Sequence, residues 1–114
     1  MAEEIIKDKE EKRVKESKKL ETNEIFIGNK PFMKYVIATI MQLKEKDNDV
    51  AIIKARGKFI SRAVDVAEVV KKKFKETENI SLENSIKIGT EEFTNEENKK
   101  INISIIEIAL EKNT

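Results

Sequence analysis

The chain has 114 residues, with 23 Lys and Arg against 22 Asp and Glu, and neither cysteine nor histidine. That length suits one small domain with a core of its own, while the missing residues exclude disulfides, thiolate metal sites and the usual general base of hydrolytic enzymes. The longest apolar run falls far short of the ~20 residues of a membrane-spanning helix, and with no leader-like start the expectation is a cytoplasmic, non-enzymatic protein that needs no cofactor or metal.

Residues 1–22, MAEEIIKDKEEKRVKESKKLET, hold 7 basic and 7 acidic residues with only isolated apolar ones. Such a segment buries too little surface to offset its ordering entropy, so it reads as a disordered tail ahead of a domain over 23–114. The run Glu24-Ile25-Phe26-Ile27-Gly28 then reads as a strand. Asn29-Lys30-Pro31 switches the chain, and Pro31, with no N–H to lose, is expected at the first position of a helix reaching about Lys46. Its apolar face is expected at Met33, Val36, Ile37, Ile40, Met41 and Leu43.

After the turn Asp47-Asn48-Asp49, Val50 to Ile53 reads as a strand covered on both faces. IKARGKF follows, placing Lys54, Arg56 and Lys58 around Gly57. A second helix is expected to about Lys75, with Ile60, Ala63, Val64, Ala67, Val70 and Phe74 at helical spacing and Glu68 paired with Lys72. Phe74, like Phe32 and Tyr35, reads as a packing residue. Two alternating segments, Ile86–Ile88 and Ile101–Ile105, complete the chain as antiparallel strands around a long polar loop over Thr90–Lys100, whose four glutamates lack the spacing of a calcium loop. The order βαβαββ defines an α/β two-layer sandwich with a mixed sheet.

The near-neutral total conceals a partition. Residues 30–75 carry 12 basic against 5 acidic residues, and residues 76–114 carry 4 against 9. If the first two strands are parallel, their carboxyl ends share one sheet edge, where open α/β sheets bind ligands, and the GNKP and KARGK loops both open there. Lys30, Lys54, Arg56, Lys58 and Arg62 would then converge with two helix N-termini, an arrangement suited to phosphates. No Walker or GxGxxG pattern occurs, so an extended phosphodiester backbone fits better than one mononucleotide.

These residues resemble a known family. IGNKPFMKYV, then IIKARGKFISRAVDVAEVVKKKF, then ISIIEIAL are similar, in order and spacing, to the archaeal Alba chromatin proteins, over about Asn23 to Lys112. The resemblance implies a fold similar to the C-terminal domain of bacterial translation initiation factor 3. It implies a chromosome-associated homodimer on double-stranded DNA, with RNA as the alternative. It also implies phosphate contacts at Lys30, Lys54, Arg56, Lys58 and Arg62, hairpins reaching along the minor groove, and a dimer–dimer contact at Phe74. Two departures stand out: Asn29 replaces the first lysine of the family's GKKP, and the hairpin tip is acidic. Both predict weaker or more selective binding. A scaffold that uses its acidic hairpin on protein partners is the reading from a different class.

Overall fold

The computed structural model describes residues 23–45 and 47–112; the tail over 1–22 lies outside them. The elements are β1 (Glu24–Phe26), α1 (Phe32–Lys44), β2 (Val50–Arg56), a 3-10 turn (Gly57–Phe59), α2 (Ile60–Glu78), β3 (Leu82–Thr94) and β4 (Lys100–Lys112). One four-stranded sheet runs in the order β1-β2-β4-β3, with β1 and β2 parallel and both other pairings antiparallel. The expected βαβαββ order and mixed sheet are therefore observed.

Strand β2 organises the layers. Its side chains alternate, so Ala51, Ile53 and Ala55 turn to one face and are buried, while Ile52, Lys54 and Arg56 turn to the other. The register carries this division across the sheet: Ala51, Ile53 and Ala55 pair with Leu110, Ile108 and Ile106, all buried, whereas Lys54 pairs with Glu107 and Arg56 with Ile105. The core joins this face to Val36 and Leu43 of α1 and to Ala63, Val66, Val70 and Phe74 of α2. Both helices lie on one face, so the opposite face has no covering layer among the described residues.

The expected helix faces are corrected in detail. Helix α1 buries Tyr35, Val36, Thr39 and Leu43 and leaves Met33, Ile37 and Met41 exposed. That stripe also has 3–4 spacing, and polar members are tolerated because the Thr39 hydroxyl donates to the Tyr35 carbonyl at 2.8 Å. Pro31 stands just outside the helix as its N-cap, with φ −55° and ψ 140°. On α2, Val66 joins the core and Val64 does not. Glu68 pairs with Lys71 at 3.2 Å rather than with Lys72. The helix ends at Asn79 in the left-handed conformation (φ 57°), whose N–H closes on the Lys75 carbonyl.

Two segments expected as loops are strand. Lys54 and Arg56 belong to β2. The polar stretch over 90–100 is mostly ladder: β3 and β4 are each 13 residues long, paired from Leu82↔Lys112 to Thr94↔Lys100. Only the tip turns, where the Asn95 side-chain oxygen accepts from the N–H groups of Glu97 and Lys99, both at 2.9 Å. Backbone pairing needs no apolar side chains where both faces meet water, which is why hydropathy alone placed a loop there.

Phe74 is 2% exposed and packed in the core. The packing reading of the residue agrees with these surroundings. Phe74→Ala is expected to cost about 3–5 kcal/mol, the range for emptying an aromatic site in a core, measured by urea unfolding. A loss below about 1 kcal/mol would show that the ring does not pack as described.

Candidate nucleic-acid interface

The carboxyl ends of β1 and β2 lie side by side, since Ile25 pairs with Ile53, Phe26 with Lys54, and the Ile27 N–H donates to the Lys54 carbonyl at 2.9 Å. The Gly28-to-Pro31 loop is shaped from beneath by a residue read from the sequence only as packing. The buried Tyr35 hydroxyl accepts from the N–H groups of Gly28 and Lys30, both at 2.9 Å. From α2, the Arg62 guanidinium donates to the Lys30 carbonyl at 2.8 Å and lies 5.8 Å from the Phe32 ring centre. Arg62 therefore ties the second helix to the first loop and fixes where Lys30 emerges.

The five expected cations fall into two groups. Lys30 and Lys58 are exposed on neighbouring loops, and neither forms an ion pair among the described residues. Lys58 follows Gly57, whose φ of 53° suits glycine, and its ammonium lies 5.3 Å from the Phe59 ring centre.

Lys54 and Arg56 instead stand on the open face of the sheet, each beside carboxylates. Lys54 meets Glu24 at 3.3 Å and Glu107 at 3.6 Å, and Arg56 meets Glu91 at 3.0 Å. Those three glutamates are brought in by β1, β4 and β3 at separations in sequence too large for a motif to reveal. The hydrogen bond that the Lys54 ammonium donates to Glu24 is the main reason the Lys54 pKa lies above its usual 10.5; the charges of Glu24 and Glu107 act in the same direction, against a lowering by desolvation. Lys30 and Lys58 are therefore open to an outside anion as they stand, whereas Lys54 and Arg56 would first have to exchange partners.

No group of three or more acidic residues among the described residues is arranged to hold a metal ion. No described helix is long and apolar enough to cross a membrane.

The architecture is that of a small two-layer α/β sandwich with a cationic loop pair at the ends of parallel strands and a long two-stranded hairpin. Comparison with known proteins specifies it. The Alba family profile matches residues 23–90. The chain is 50% identical over 92 residues to the DNA/RNA-binding protein Alba of Methanocella arvoryzae, covering 81% of this chain and 92% of that protein. It is 46% identical over 90 residues to the protein of the same name from Methanococcus maripaludis, covering 79% and 98% respectively. Among solved structures, Alba from Thermoplasma volcanium superposes with a TM-score of 0.65 at 43% identity, covering 77% of this chain and 98% of that one. ALBA1 from Trypanosoma brucei, at 22% identity and a TM-score of 0.54 over 79% of this chain and 68% of its own, shares the fold. The chain belongs to the Alba family.

Two predictions test this geometry. Tyr35→Phe removes the acceptor shared by two loop N–H groups and is expected to cost about 1–3 kcal/mol, as for orphaned part-buried donors, with faster amide exchange at Gly28 and Lys30; unchanged exchange there would contradict the tether. Because the folded pKa of Lys54 is raised, its stabilising contribution is complete below 10.5 and is lost as pH rises through the elevated value. The stability difference between the natural chain and Glu24→Gln should therefore be constant from neutrality into the mildly alkaline range and shrink at strongly alkaline pH. A difference that grows with alkalinity would refute the pairing.

Proposed function

We propose that this protein binds double-stranded DNA as a homodimer associated with the chromosome, holding the phosphate backbone through Lys30 and Lys58. The observation that carries the reading is the placement of these two cations, free of ion pairs among the described residues, on adjacent loops at the ends of β1 and β2. The printed names of the relatives, DNA/RNA-binding protein Alba, support the same class of ligand. A charged backbone contact needs no base-specific geometry, so mobile lysines suffice for it.

Dimerisation is supported by an apolar surface beside an open sheet edge. Strand β3 is terminal in the sheet, and its Ile86 and Ile88 are 59% and 77% exposed on the side that faces the helices. Lys71 of α2 donates to the Asn84 side chain at 2.7 Å, which ties α2 to β3, and Val64, two turns earlier on the same side of the helix as Lys71, is exposed as well. A second copy covering this strip would remove both the apolar surface and the unpaired strand edge from water.

Carboxylate pairing of Lys54 and Arg56 supports weaker binding than a surface with all five cations free. Each exchange of Glu24, Glu107 or Glu91 for a phosphate has to overcome an existing ion pair. The acidic hairpin tip, with Glu96 and Glu97, adds repulsion if the arm approaches DNA.

The test is the affinity for mixed-sequence duplex DNA as salt is raised. Lys30→Ala with Lys58→Ala should weaken binding about tenfold or more at low salt. It should also flatten the slope of log affinity against log salt by about 0.9 for each phosphate contact removed. Binding that ignores both substitutions would sink the assignment of the backbone contact to these loops.

A further inference from the structure

The open face of the sheet is not explained by duplex binding through the loops. It carries Phe26, 63% exposed and in register with Lys54, and beyond them Arg56, Ile105, Ile103 and Phe93. A groove of about 490 Å³ runs over this face and the 3-10 turn, lined by Phe26, Arg56, Lys58, Glu91, Ile103 and Glu107 among others. That volume lies within the ~300–1,000 Å³ of small-ligand clefts. Phe26 has the Lys54 ammonium 5.4 Å from its ring centre, and Phe93 has the Arg56 guanidinium at 5.1 Å. Two aromatic rings on different strands, each beside a cation and both facing the same way, form a sheet surface on which bases can stack while phosphates meet charge.

The bases of a duplex are stacked and paired inside the helix, so a ring reaches their faces only at an end or by wedging a step apart, whereas an unpaired base can lie on it directly. Carboxylates on the same face fit that occupant as well. Once Lys54 or Arg56 turns to a phosphate, Glu107 or Glu91 is left to accept from a base amino group, a contact a bare phosphate backbone does not offer. Strands stand about 4.8 Å apart, and Phe26 on β1 is separated from Phe93 on β3 by the full width of the sheet. A chain crossing from one ring to the other therefore spans several nucleotides.

We infer that this open face binds single-stranded nucleic acid, stacking one unpaired base on Phe26 and another on Phe93, with the intervening phosphates drawn to Lys54 and Arg56. The inference rests on the nucleic-acid-binding reading above and adds to it a second ligand form and a second surface. RNA and single-stranded DNA share the required chemistry, and the experiment separates them.

The measurement is fluorescence anisotropy with a 12-nucleotide mixed-sequence RNA, a DNA strand of the same sequence, and its duplex. The proteins compared are the natural chain, Phe26→Ala and Phe93→Ala, each checked for retained secondary structure by circular dichroism. Base–aromatic stacking removed by alanine corresponds to a loss of about fivefold or more in affinity for single strands, with duplex affinity changed less than twofold. Phe26→Tyr, which keeps a stacking ring, should restore single-strand binding. A loss confined to RNA assigns the face to RNA, and equal losses on both strands assign it to either.

Unchanged single-strand affinity in both alanine variants, or an equal loss on the duplex, would overturn the inference. So would a shift of Phe26→Ala to a smaller species in sedimentation, which would make the face an interface between copies. If the natural chain binds duplex DNA but no single strand, this inference falls and the proposed function stands. Binding to none of the three probes removes both.

Discussion

The two-sided alternation of β2 is the constraint on which the rest of this structure depends. One side of seven residues supplies Ala51, Ile53 and Ala55 to the core, and the other presents Lys54 and Arg56. A slip of one residue in its pairing would exchange the two sets, burying charge and exposing the core, so packing fixes the placement of these cations. Ala51 and Ala55 share one buried cluster with Phe74, Leu43 and Val36 of the helices. Parallel pairing of β2 with β1 then brings the Gly28-to-Pro31 loop beside the Gly57-to-Phe59 turn.

Around that frame, polar contacts give the loops a defined shape. Tyr35 belongs to the core through its ring and to the loop through its hydroxyl, which satisfies two N–H groups that would otherwise compete for water. Arg62 reaches the same loop from the other helix through the Lys30 carbonyl. Lys30 is thus carried on a short segment held from two directions, while its own side chain remains free to move toward an anion. Rigid backbone beneath mobile charge suits recognition of a repeating, geometrically tolerant ligand.

The electrostatic pattern of the molecule divides by face as well as along the chain. Cations of the loops face water, whereas those of the open sheet are matched by Glu24, Glu107 and Glu91. Surface pairs of this kind contribute little to stability, because water screens them and holding two side chains in place costs entropy. Their effect is to set how readily the sheet cations turn to another partner. Phe26, exposed beside one of these pairs, and Phe93 beside another give the open face an aromatic surface of its own.

The sequence by itself determined the order of elements and the two-layer class, because hydrophobic periodicity and punctuation by Gly28, Pro31 and Gly57 are local properties of the chain; the family was legible separately, from the resemblance of the stretches around IGNKP and KARGKF. The sequence also named Lys30 and Lys58 among five candidate cations, without separating them from Lys54, Arg56 and Arg62. Tertiary structure decided what no local pattern contains: that α1 turns Tyr35 rather than Met33 inward, that Thr90 to Thr94 extend a ladder, and that Phe74 is enclosed. It likewise decided that Lys54 and Arg56 stand on the sheet face opposite carboxylates from three other strands. Strand register brings together residues as far apart as Lys54 and Glu107, and that register is set by the packing of the whole core rather than by the residues it pairs.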